Sequence, residues 1–208
     1  MKIVYPKVEL MDTIDGEEII RKIERCGRTC YRSEAKITPE SSREFVRKIV
    51  ANGHESQLEH VSISIRLTCD RGVSHELVRH RIASYSQEST RYVNATGKQY
   101  EGGMEVIKPP LPNKEATHLW IDEMERCEQS YIMLMKHGCS PQIARSVLPN
   151  SLKTELVVTM NLRAWRNFFK LRCAQSAHPQ MREVALMILN EFQKIVPVVF
   201  DDLTFKQQ

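Results

Sequence analysis

The chain has 208 residues, 41% of them hydrophobic, and 30 basic against 26 acidic side chains give it a formal net charge of +4. That length and apolar content suffice for a full core in one domain spanning 1–208, and so slight a basic excess argues for local anion sites rather than a nucleic-acid coat. No apolar run approaches the ~20 residues needed to cross a bilayer, and no segment is repetitive or low in complexity, so no membrane association is expected.

Residues 2–10 alternate well enough for a strand, and 17–31 carry Ile19, Ile20, Ile23, Cys26 and Cys30 at helical spacing. Cys26 and Cys30 stand one turn apart, a spacing that suits two small core residues better than a redox pair. The six cysteines include no Cys-x-x-Cys pair, and the opening Met-Lys-Ile-Val-Tyr-Pro-Lys has no signal-peptide apolar region, so a reducing, cytoplasmic setting is expected. Thr38-Pro39-Glu40 puts a cap residue before a first-turn proline, after which Phe45, Val46, Ile49 and Val50 line one helix face until Gly53 stops it.

His54 therefore stands just past a helix end, in the run Gly53-His54-Glu55-Ser56-Gln57-Leu58-Glu59-His60. Two histidines and two carboxylates raise the idea of a metal hydrolase. The zincin pattern needs histidines at i and i+4 on one helix, whereas these are six apart. A ligand-binding loop and plain structure are the other readings, and no metal is expected.

Residues 61–69 alternate as a half-buried strand, and 73–78 read as a short helix. The next stretch, 79–92, is Arg-His-Arg-Ile-Ala-Ser-Tyr-Ser-Gln-Glu-Ser-Thr-Arg-Tyr, the densest set of hydrogen-bond donors in the chain. It reads either as an anion receptor or as a solvated helix end favoured by the dipole. At a helix end, Arg79, His80 and Arg81 point about 100° apart, so they serve two ligands or two ends of one. If 85–92 is extended, Gln87, Ser89 and Arg91 share a face.

Glycines and prolines over 97–113 predict a turn and a loop, and 116–137 a long amphipathic helix with Leu119, Trp120, Met124, Cys127, Tyr131 and Met135 in its core stripe. Ser140-Pro141 opens a short helix ending near Leu148-Pro149, with Arg145 inside it; 152–160 is an apolar strand, and 163–172 and 180–195 are the last helices. Around Trp165, Leu162, Phe168 and Phe169 lie within about 60° on a helical projection, Arg163 and Asn167 lie near the opposite side, and Arg172 falls about 20° away. A guanidinium in an apolar stripe either meets an acceptor or anion, or snorkels from the last turn to water. Strands and helices interleave without βαβ periodicity, and neither a dinucleotide fingerprint nor a P-loop is present, so an α+β fold is expected. Ser89 has no assured base, with His80 nine residues away in another element. Donors without a nucleophile suggest that a cofactor performs the reaction.

Arg79-His80-Arg81, seven residues and then Ser89 resembles the signature of flavin-dependent thymidylate synthases. The resemblance extends to Gly53-His54-Glu55-Ser56, Arg145 with Leu148-Pro149, Asn161-Leu162-Arg163 with Asn167, and Arg172, in the family's order over about residues 50 to 185. It implies a twisted, mainly antiparallel sheet flanked by helices, a homotetramer with active sites where subunits meet, and conversion of dUMP to dTMP. Methylenetetrahydrofolate would be the carbon donor, with NADPH reducing bound FAD.

By the same resemblance His54, Ser56, Arg79, His80, Arg81, Gln87, Asn161, Arg163 and Asn167 contact FAD. Glu76, Leu77, Val78, Arg79, Gln87, Ser89, Thr90, Arg91, Arg145 and Arg172 surround dUMP. Arg172 polarises the uracil ring, and Ser89 becomes a nucleotide contact rather than a nucleophile. Glu76 stands where some members have glutamine, and Cys173, Ser176 and Pro179 make the stretch after Arg172 less typical. A nucleotide- or RNA-binding module without chemistry is the rival from another class; no aromatic platform for bases accompanies it.

Overall fold

The structure, a computed structural model, describes residues 1–97 and 103–205. In chain order it contains β1 (Lys2–Val4), β2 (Lys7–Leu10), α1 (Gly16–Thr29), α2 (Ser41–Ala51), β3 (Ser62–Asp70), α3 (Arg71–Leu77), β4 (Ala83–Gln87), β5 (Glu105–Ile107), α4 (Lys114–Lys136), α5 (Pro141–Ala144), β6 (Lys153–Asn161), α6 (Leu162–Arg172), α7 (Pro179–Ile195) and α8 (Pro197–Phe200). This is the expected α+β class. One sheet has the order β2-β3-β6-β4, and β1 pairs with β5 in parallel. Ser64 meets Thr159 while the Arg71 N–H bonds to Leu152, so β3 and β6 run antiparallel.

Internal contacts divide the chain into two compact units: Met1–Lys7, Leu67–Arg79 and Tyr85–Val157 form the first, and Val8–Arg66, His80–Ser84 and the chain from Val158 onward the second. In the first, α4 supplies Met124 and Tyr131 to a core with Met104, Val106, Ala144 and Leu152. Asn113 caps α4 by accepting from the Ala116 N–H, as a short polar side chain does for an otherwise orphan donor. In the second unit, Trp165, Phe168, Phe169, Phe192 and Phe200 form a fully buried aromatic cluster with ring centroids 5.2–5.8 Å apart. Trp165 Nε1 donates to the Ile63 carbonyl, which satisfies the polar atom that this burial would strand.

Four elements depart from the sequence reading. The helix expected to open at Thr38-Pro39-Glu40 starts at Ser41, because the Thr38 N–H donates to Ser41 Oγ and Thr38 caps nothing. The single strand expected over 2–10 breaks at Tyr5-Pro6 into β1 and β2, because proline has no N–H to offer a ladder. Within the loop expected over 97–113, β5 forms by pairing Glu105, Val106 and Ile107 with β1, a partner a hundred residues away that local pattern cannot announce; positions 98–102 of that loop lie outside the described residues. The extended run expected over 85–92 stops at Gln87. There Ser89 Oγ accepts from the Arg91 N–H and the Ser89 carbonyl from Tyr92 and Val93, so local bonds replace the ladder. Ser89 and Arg91 therefore do not share a strand face with Gln87.

Candidate active site

In the first unit, Asp70 ends β3 and caps α3 through the Val73 N–H at 2.7 Å, which makes Arg71 the first helical residue. Arg71 Nη1 is buried and makes no hydrogen bond. Burial, and then the charge of Arg145, work to lower its pKa. Glu88 opposes both by its charge, but a buried guanidinium nitrogen with no hydrogen bond is costly unless an acceptor meets it. Arg71 lines a small recess with Glu88, Thr90, Glu105, Lys153 and Thr154. Arg145 donates to Thr90 Oγ1 at 3.4 Å, so the turn after β4 is tied to the same group.

Glu88 and Lys153, both lining that recess, pair at 3.8 Å. Burial raises the Glu88 pKa, with Lys153 opposing it. For Lys153 burial pulls downward, but the hydrogen bond to Glu155 and the carboxylates of Glu88 and Glu105 hold its pKa above the ordinary value. Gln87 is oriented from below. The Ser74 hydroxyl donates to the Arg71 carbonyl at 2.9 Å, so it accepts from Gln87 Nε2 at 2.9 Å, while Thr154 takes the second amide hydrogen at 3.2 Å. Both amide hydrogens are thereby used, and Gln87 presents its oxygen as an acceptor.

Other expected nucleotide contacts are distributed unevenly. Leu77 is fully buried and its carbonyl accepts from the Tyr85 hydroxyl, so its side chain belongs to the core and only its backbone is left to meet a ligand. Glu76 and Val78 are half-buried, and Arg79 is exposed with its N–H on the Glu76 carbonyl. Arg91 is exposed and lies 5.3 Å above the Tyr92 ring.

In the second unit, α2 ends in a left-handed glycine. Gly53 has φ +69°, its N–H bonds to Val50 and the His54 N–H to Ile49, a Schellman closure that delivers His54 and Ser56 exposed at the start of a 3-10 turn, Glu55–His60. Asn161 caps α6 by accepting from the Ala164 N–H at 2.8 Å. Asn161, Arg163, Asn167, Arg81 and Lys170 line an open groove of about 400 Å³ with Glu55 and Glu59. Glu59 pairs with Arg163, and Glu55 accepts from Lys170. Three cations and two asparagine amides along one groove suit an extended anionic ligand. Among the described residues, no group of three or more His, Cys, Asp or Glu converges on a point.

Arg172 lies at the last turn of α6, half-buried, and its Nε donates to His80 Nε2 at 2.9 Å. The His80 ring meets Phe168 edge-on with centroids 5.0 Å apart. Burial, then the charge of Arg172, lower the His80 pKa to about 4. Consecutive side chains at 79–81 thus diverge: His80 turns into its unit's core, whereas Arg79 and Arg81 are exposed.

Two residues escaped the sequence reading. Arg71 sits at a strand-to-helix junction, and nothing in the local pattern reports its burial. Arg166 is 2% exposed and binds Glu55, Asp202 and the Val199 carbonyl. Its position four after Leu162 and three before Phe169, within the apolar stripe of α6, was the available signal.

Comparison with known proteins gives a concordant result. The profile of the family described as thymidylate synthase complementing protein matches residues 9–198. A flavin-dependent thymidylate synthase of Geobacter sulfurreducens is 36% identical over 183 residues, covering 84% of this chain and 78% of its own. That of Mycolicibacterium gilvum is 36% identical, covering 95% of this chain and 84% of its own. Among solved structures, a UMP/dUMP methylase from Streptomyces cacaoi bound with 5-Br dUMP superposes with a TM-score of 0.80, covering 97% of this chain and 96% of that one. At 23% identity it speaks for the fold alone.

Proposed function

The chain belongs to the thymidylate synthase complementing protein family, and from that premise we propose that it is a flavin-dependent thymidylate synthase converting dUMP to dTMP. The observation that carries the reading is the buried Arg71 guanidinium edge beside Arg145 and the Ser89–Thr90–Arg91 turn, a receptor for a phosphomonoester. Arg71, Arg91 and Arg145 hold the 5′-phosphate of dUMP, with Ser89 and Thr90 adding hydroxyls. Gln87 offers its oxygen to a donor on the base or sugar. Glu76 accepts from a sugar hydroxyl, away from the phosphate it would repel. Arg172 donates to the uracil ring, draws charge onto its carbonyl and eases loss of the ring N–H proton.

The residues of the second unit fit FAD. Arg81, Arg163 and Lys170 line one groove and answer a diphosphate, while Asn161 and Asn167 answer its polar rim. His54 and Ser56 belong to the same cofactor contacts, as does Arg79. When bound, the flavin supplies the reducing chemistry. NADPH is the reductant, methylenetetrahydrofolate the carbon donor, and the 208 residues act as one catalytic domain of a cytoplasmic homotetramer with sites at subunit interfaces. Among the described residues no helix is long and apolar enough to cross a membrane.

Purified protein is expected to be yellow, to bleach under anaerobic NADPH, and to release hydrogen from the dUMP ring when folate is added. A colourless protein that takes up no added FAD would overturn the proposal.

A further inference from the structure

We propose that His80 is a positioning residue: its imidazole holds the Arg172 guanidinium in the plane from which it acts on the pyrimidine, instead of serving the flavin. The inference rests on the assignment of Arg172 to the pyrimidine made above. Arginine nitrogens only donate, so in the 2.9 Å contact His80 Nε2 must accept. The imidazole is then neutral, with its proton on Nδ1. Nε is the root of the planar guanidinium fork, and a bond along its N–H direction fixes the plane in which both terminal nitrogens lie. The bond adds to what orients the guanidinium before substrate arrives, and orientation fixed in advance is entropy not lost on binding.

The imidazole is itself held. Phe168, fully buried, meets it edge-on at 5.0 Å and is wedged against Trp165 and Phe169. The acceptor state is equally secure, since burial and Arg172 keep the ring neutral until the pH approaches about 4. A protonated ring would lose the bond and set two cations in contact.

The test is hydrogen release from the dUMP ring, per bound flavin, in the wild type, His80→Leu and His80→Gln. His80→Leu fills the volume without an acceptor. Its kcat is expected to fall about 100-fold, the scale of an ångström-sized misplacement, with flavin content and KM for dUMP near those of the wild type. His80→Gln restores an acceptor at similar reach and should recover most of that loss. Equal losses in both variants, an unimpaired His80→Leu, or a His80→Leu that loses flavin instead would each overturn the proposal. If His80→Leu does not fold, His80→Asn, whose shorter amide cannot reach Nε, takes its place. Failure of the functional reading looks different, because the wild type itself then releases no ring hydrogen.

Discussion

Arg71 shows how a single residue can matter without any local mark. Its Nη1 is buried without a hydrogen bond, and although the Glu88 charge acts in its favour, that nitrogen is satisfied only when an acceptor reaches it. Arg71→Met is expected to raise KM for dUMP by about 10- to 100-fold, the worth of a hydrogen bond to a charged group. Affinity for deoxyuridine, which has no phosphate, should barely change, and thermal stability should hold or rise. Nucleotide titrations beside a thermal melt check all three, and an equal loss for deoxyuridine would remove Arg71 from the phosphate site. Arg172 was legible as an arginine in an apolar stripe, yet its two readings resolve only when His80 is seen to accept from it.

At the scale of the element, α6 was the most legible part of the chain. Trp165, Leu162, Phe168 and Phe169 are buried as the helical period predicts, and Arg163 and Asn167 face out. Its least legible member is Arg166, which ties the Glu55 turn to the segment around Asp202. Removing it takes this partner from Asp202 and leaves Glu55 with Lys170 alone. Because Asp202 is 49% exposed, Arg166→Met is expected to cost the lower end of the range for broken buried pairs, about 3 kcal/mol, measured by urea unfolding. Flavin content should fall with it, because Glu55 sits between His54 and Ser56. A variant of wild-type stability with full flavin would show that the tie is dispensable. By contrast, β5 and the turn at Ser89 eluded sequence reasoning: one exists only through its distant partner β1, the other through side-chain bonds that outcompete a strand.

For the whole molecule, acid is the informative stress. As pH falls, an unfolded His80 takes up a proton near its ordinary 6.5, whereas the folded ring resists until about 4. The unfolded chain thus binds more protons across that window, and stability drops as pH drops through it. Asp202 acts in the same direction lower down: the Arg166 hydrogen bond, against burial, holds its pKa below the usual carboxylate value, and that contribution is lost as pH falls through the lowered pKa. Glu88 opposes both, since burial raises its pKa and the folded state gains as it protonates. The thermal midpoint should therefore decline between pH 6.5 and 4, and decline less in His80→Gln; identical slopes would remove His80 from the account. What the sequence determined by itself was the alternation over 61–69 and 152–160, the α6 stripe and the ordered motifs that reveal the family; the cap at Thr38 and the core places given to Leu119 and Cys30 failed, since α2 starts at Ser41 and both side chains are exposed. What only the tertiary structure decided was the burial of Arg71 Nη1 and of Arg166 and the contact of His80 with Arg172, 92 residues apart. Periodicity encodes which face a residue takes, but burial and charge pairing depend on distant segments whose approach no local pattern specifies.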